Sequence, residues 1–170
     1  MFVRIKKRKN HSGKTYKYAY LVKTKYLKKG PRQRILQYLG RLYEFKKESD
    51  KDQKTLKKWP ESLKQLIEEE LANHYFKEEK EVWKNHTIEI NFKERKIEKD
   101  GQKVCLKFNN GFLCDFTLSL VLDFQIPKTN EKGIGKSLGN TLLLAGIGIN
   151  PERFIELFNQ IREEIGLKQW

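Results

Sequence analysis

Three stretches near the start of the chain, Phe2 to Lys9, Thr15 to Leu27 and Arg32 to Tyr43, are rich in β-branched and aromatic residues interleaved with cations. A period of two puts neighbouring side chains on opposite sides of a pleated strand. The stretches are separated by Asn10-His11-Ser12-Gly13 and Lys28-Lys29-Gly30-Pro31, residues that accept tight turns. The pattern therefore predicts a small three-stranded antiparallel sheet. On the first strand Val3 and Ile5 oppose Arg4, Lys6 and Arg8. On the second, Tyr16, Tyr18, Tyr20 and Val22 share one side and Lys17, Ala19, Leu21 and Lys23 the other, with the choice of buried set left open. On the third, Arg32 and Arg34 oppose Ile35 and Leu39, so one side is expected to carry Arg4, Lys6, Arg8, Arg32 and Arg34 together.

The period then changes. After Trp59-Pro60-Glu61-Ser62, a helix start with proline and acid in its first turn, Leu63, Leu66, Ile67 and Leu71 recur at helical spacing and His74 borders the stripe. Lys77 to Lys84 continues or breaks that helix. Alternation marks Thr87 to Phe92 and Lys103 to Phe108, and Asp100-Gly101 between them is a strong hairpin signal, so a β-hairpin is expected near 87–108. Gly111 to Phe124 reads as a buried helix through Leu113, Phe116, Leu120 and Phe124, ended by Pro127. Two more helices follow, Lys136 to Gly146 and Asn150 to Ile165. The second has Asn150 as cap, Pro151 in the first turn, and an apolar face of Phe154, Ile155, Phe158, Ile161 and Ile165. The fold class is α+β: N-terminal sheet, central helix, hairpin and C-terminal helices. The division is a basic module 1–47, a solvated linker 48–58 and a helical domain 59–170 with the hairpin.

Charge sharpens this division. Sixteen of the 36 Lys and Arg residues, but only one of the 22 acids (Glu44), fall before Glu48, giving +15 there and −1 over the rest. Self-repulsion of that density calls for a polyanionic partner. A sheet of this kind can enter a DNA groove, with Arg or Lys bonding guanine edges and flanking lysines neutralising phosphates. RNA bound by stacking on the interleaved tyrosines is the alternative. Lys14, Lys17, Tyr18 and Lys23 join the arginines as candidate contacts. No apolar run approaches the ~20 residues that span a bilayer, and charge begins at Arg4, so a cytoplasmic, nucleoid-associated location and no membrane partner are expected. Cys105 and Cys114, with three scattered histidines, form no zinc pattern and read as buried thiols.

The same segment carries a resemblance. Met-Phe-Val-Arg-Ile-Lys-Lys at the start, Gly13-Lys14-Thr15-Tyr16, Leu21-Val22, Pro31-Arg32-Gln33-Arg34 and Leu39-Gly40-Arg41-Leu42 resemble, in order and spacing, the opening of DDE-type insertion-sequence transposases over about residues 1–45. The resemblance implies DNA binding by this segment, with Arg4, Arg32, Gln33, Arg34 and Arg41 at the matching positions.

Other motifs stop short. Gly133-Ile134-Gly135-Lys136-Ser137 is similar to a phosphate-binding loop, but Asn130 stands where the motif needs glycine and no buried strand precedes it. Nucleotide binding through Lys136 and Ser137 is thus a second alternative only. Leu144-Ala145-Gly146-Ile147 echoes a homing-endonuclease helix without its metal-binding acid. Glu152, Glu156, Glu163 and Glu164 argue against the last helix facing phosphate, leaving packing or homodimerisation as its role. A DDE nuclease needs three carboxylates on separated elements to hold two metal ions. Asp115 and Asp123, eight apart on one expected helix, do not meet that need. The expectation is a protein without catalysis, metal or cofactor of its own.

Overall fold

The structure, a computed structural model, describes residues 1–47 and 54–166. Most of the expected linker, including Ser49, Asp50 and Asp52, lies outside the described residues. The fold is mixed α+β. Strands β1 (Phe2–Lys9), β2 (Thr15–Leu27) and β3 (Gly30–Glu44) form the N-terminal antiparallel meander. Helix α1 (Glu61–Asn73) follows, then β4 (Lys77–Glu79), β5 (Val82–Asn85), β6 (Ile88–Asn91), β7 (Lys96–Lys99), β8 (Gln102–Phe108) and β9 (Gly111–Leu113). The chain closes with α2 (Asp115–Leu122), α3 (Glu131–Ala145) and α4 (Pro151–Glu164).

The three N-terminal strands continue into a larger sheet, ordered β1-β2-β3-β8-β7-β6-β5-β4, with β9 also paired to β8. The join is the parallel pairing of β3 with β8, from Arg41 opposite Val104 to Glu44 opposite Lys107. Gly40 makes this approach possible: its φ is +117°, and a Cβ there would lie 2.5 Å from the Lys103 carbonyl oxygen. Behind the meander, Ala19, Leu21, Leu39 and Leu42 pack on Cys105 and Cys114, with Val3, Ile5, Phe112 and Phe116 at the margin. Both thiols are fully buried. The hydrogen bond to Cys114, reinforced by burial, pushes the Cys105 thiol well above its usual range.

The main core gathers α1, the β5–β8 strands and α2, α3 and α4, around residues such as Ile67, Leu71, Ile90, Ile97, Phe108, Leu118, Leu138 and Leu157. Its buried polar groups are satisfied in part by one another. Glu70 accepts from the Asn109 side chain and the Gly148 backbone N–H, both at 2.9 Å, and Arg153 on α4 reaches Glu69 at 2.6 Å.

Several expectations need correction. Lys77 to Lys84 does not extend α1 but makes the β4–β5 hairpin, its turn formed by Lys80 and Glu81 with positive φ. The Asp100-Gly101 turn joins β7 to β8 rather than linking 87–92 to 103–108 directly, because Lys96-Ile97-Glu98-Lys99 forms an additional strand with Ile97 buried. Residues 111–124 are not one helix: β9 takes the first three, and Asp115 starts α2, its carboxylate accepting from the Ile97 N–H at 2.8 Å. His74 is not at a boundary. It is wholly buried, its Nδ1 2.8 Å from the Glu70 carbonyl and its ring stacked on Phe108 at 4.1 Å between centroids. On α4 the inward set is Arg153, Leu157, Ile161 and Arg162, whereas Ile155 and Ile165 are exposed. Lys136 and Ser137 lie inside α3, whose N-cap is Asn130, so their backbone runs in a helix and forms no anion-cradling loop.

A cationic, tyrosine-backed sheet face

Directly paired residues on neighbouring strands share a face, so the register of the meander assigns its side chains. Arg4 pairs with Tyr20, Lys6 with Tyr18 and Arg8 with Tyr16. Tyr18 pairs in turn with Arg41, and Tyr20 with Tyr38. One side of the sheet is therefore a lattice of cations and phenols. The Arg41 guanidinium sits 4.0 Å from the Tyr16 ring centroid and 5.2 Å from that of Tyr43. Lys6 lies 5.4 Å from Tyr20, Arg8 5.9 Å from Tyr18, Lys14 5.9 Å from Tyr16 and Lys99, from β7, 5.7 Å from Tyr43. Tyr38 is flanked by Tyr20 at 5.5 Å and Tyr18 at 6.4 Å. Desolvation, then the neighbouring Tyr18 and Tyr20, raise its phenol above the usual 10.0, so it stays protonated as a hydrogen-bond donor.

A ring beneath a cation holds it without neutralising it. The side chains lose less freedom when they meet an anion, and their charge remains available. Glu44, the one acid of the segment, does not intrude: it is held by Lys17 at 2.5 Å, and that hydrogen bond lowers its carboxyl below the ordinary range.

The register also corrects the expected arginine face. Lys23 pairs with Arg34 and Lys25 with Arg32, whereas Thr24 pairs with Gln33 and Val22 with Ile35. Arg32 and Arg34 thus lie on the opposite side from Arg4, Lys6 and Arg8. The reason is the turn pairing of Leu27 with Gly30, which sets even-numbered residues of β3 beside odd-numbered residues of β2, the side away from Tyr16, Tyr18 and Tyr20. Two irregularities in the β2–β3 ladder, between Ala19 and Tyr20 and between Leu21 and Val22, each give β3 an extra residue and invert the sides only between them. The inversion leaves Ile35 beside Val22 but puts Leu39 in the cluster with Ala19 and Leu21, so those two also part company.

Of the sequence-selected residues, Arg4, Lys6, Arg8, Tyr18 and Arg41 meet on one face, Lys14 reaches it from the first turn, and Gln33 accepts from Arg4 at 2.5 Å. Lys17 faces away with Glu44; Lys23, Arg32 and Arg34 lie on the other face of the projecting hairpin. Sequence reasoning left Tyr16, Tyr20, Tyr38, Tyr43 and Lys99 out of the site. The every-second-residue run of Tyr16, Tyr18 and Tyr20 was the available signal for two of them. Lys99 offered none, since only sheet closure through β8 brings it near Tyr43. Among the described residues, no three His, Cys, Asp or Glu side chains stand together to hold a metal ion, and no helix is long and apolar enough to cross a membrane.

Fold and face together define a mixed α+β protein whose amino-terminal sheet presents cations seated on tyrosines. Residues 3–80 match the family model for the IS1634 family transposase, N-terminal domain. Over that segment the chain is similar to a transposase N-terminal domain, and the match runs beyond the meander, through α1 to β4. No curated protein and no solved structure matches the chain.

Proposed function

We propose that the N-terminal sheet docks on duplex DNA and that the chain serves a mobile element as a DNA-binding part without catalysis of its own. The observation that carries this is the tyrosine-backed row of Arg4, Lys6, Arg8 and Arg41 within a segment of charge +15. The similarity to a transposase N-terminal domain supports it independently. Phosphate contacts of this kind fix register and orientation on a duplex and supply most of the salt-sensitive affinity. A cytoplasmic protein associated with DNA is the location this reading implies. Self-association through α4 belongs to the same reading, supported by the exposure of Ile155 and Ile165; light scattering of the purified chain with and without Ile155→Asp tests it.

Fluorescence anisotropy with a labelled 20-base-pair duplex, competed by unlabelled single-stranded DNA and single-stranded RNA of matched length, tests the main claim. The duplex should compete best. Preferential competition by RNA would transfer the face to base stacking on its tyrosines, and absence of binding to every nucleic acid would refute both.

A further inference from the structure

The meander does not end where the tyrosine face ends. β1 stops pairing at Phe2 opposite Val22, and β3 meets β8 only from Arg41 onward. From Lys23 to Arg34 the chain is therefore a two-stranded ribbon with both edges free, paired from Lys23–Arg34 to Leu27–Gly30. Five pairs at about 3.3 Å per residue give an arm roughly 17 Å long.

Its charges make little sense for the isolated protein. Two of its pairs set cation directly across from cation, Lys23 opposite Arg34 and Lys25 opposite Arg32, an arrangement that weakens a hairpin. Residues 15–43 contain no acid, and Glu44 is occupied by Lys17. Lys28 and Lys29 add two more charges at the tip. The same crowding argues against another copy of this chain pairing along the free edges, since identical arms would repel. A polyanion removes the repulsion.

The B-DNA major groove is about 12 Å wide and about 8.5 Å deep, and it admits a two-stranded ribbon. The arm face bearing Arg32 and Arg34 is the one that could present guanidinium forks to guanine O6 and N7. We infer that the arm enters the major groove and reads base pairs through Arg32 and Arg34, while the tyrosine-backed face holds phosphates. Affinity and sequence preference are then carried by different parts of one sheet. This inference rests on the duplex-binding reading and adds the means of recognition to it.

The test begins by selecting a preferred duplex from a randomised library with the full chain. Anisotropy titrations then compare that duplex with a scrambled one for wild type, Arg32→Ala/Arg34→Ala and Arg32→Lys/Arg34→Lys. Lysine keeps the charge but not the planar fork. The lysine variant should bind the scrambled duplex within about twofold of wild type yet lose about tenfold or more of the preference, in line with ~1–3 kcal/mol per bidentate base contact. The alanine variant should lose the preference and weaken on both duplexes. Methylating guanine N7 at the selected positions should block wild type and leave the lysine variant unaffected. A lysine variant that keeps the full preference, or a wild type that binds duplexes with none, overturns the arm's role and leaves DNA docking standing. Failure to bind any duplex overturns the docking reading itself.

Discussion

Neutralising Arg4, Lys6 and Arg8 together, as Gln, is the perturbation whose outcome can be worked out most fully. All three lie on β1, an edge strand, with side chains on the face away from the Val3 and Ile5 packing. Arg4 and Arg8 are exposed and Lys6 is half-buried. None makes an ion pair within the described residues, so the fold should lose little. If each meets one phosphate, the log–log slope of affinity against salt falls by about 0.9 per contact, or about 2.7 for the three. Between roughly 50 and 200 mM salt that difference amounts to about 40-fold: wild-type affinity should drop about 40 times further than that of the triple variant. Anisotropy titrations at five salt concentrations give the slope, and circular dichroism confirms the fold. A variant with wild-type slope and intact structure would show that this face does not meet the phosphate backbone.

Three further outcomes follow from the geometry. Gly40→Ala adds a Cβ 2.5 Å from a backbone oxygen at a φ of +117°, so a loss of about 2 kcal/mol or more is expected in urea unfolding; wild-type stability would mean that β3 and β8 do not approach as described. Asp123 binds Arg95 at 2.6 Å, and that hydrogen bond holds its carboxyl below the ordinary 3.8. The pair's contribution is therefore complete above that value and disappears as pH falls through the lower folded-state value. Because the carboxylate is exposed, Asp123→Asn should cost only about 0.2–1 kcal/mol at pH 7 and flatten the acid limb of a stability profile, and an unchanged acid limb would count against the pair. Cys105 and Cys114 are both fully buried, so alkylation by iodoacetamide should wait for unfolding and accelerate in urea. Rapid labelling of the native protein would show the packing beneath the sheet to be open.

Much of this fold was legible in the chain. The meander follows from three runs of β-branched and aromatic residues and two turn sequences, α1 from its Leu63, Leu66, Ile67 and Leu71 stripe, and α4 from Asn150 and Pro151. What escaped reading has definite physical causes. β7 is four residues long with one buried side chain, Ile97, too short for a period to emerge. Gly111 to Leu113 is apolar throughout, and short apolar runs do not separate strand from helix. On α4, Arg153 and Arg162 point inward to Glu69 and Glu131, so a hydrophobicity pattern rotates the helix the wrong way. At the candidate interface the residue types were evident, but their sorting was not. The side that Arg32 and Arg34 take follows from the pairing of Leu27 with Gly30, which a turn sequence alone does not fix, and nothing in Arg34 to Leu39 announces the two extra residues that invert and then restore the alternation of β3. The sheet's cationic side was therefore real in composition, while the register alone showed that Arg32 and Arg34 leave it for the arm.

The central claim is that the tyrosine-backed face of the meander lies against DNA. NMR of the chain with carbon-13-labelled tyrosine rings tests it most directly, as an unlabelled duplex is added at low salt. Ring signals of Tyr16, Tyr18, Tyr20, Tyr38 and Tyr43 should shift together and saturably, while Tyr75, outside the meander, stays in place. Shifts confined to Tyr75, or no shifts at saturating duplex, would contradict the account.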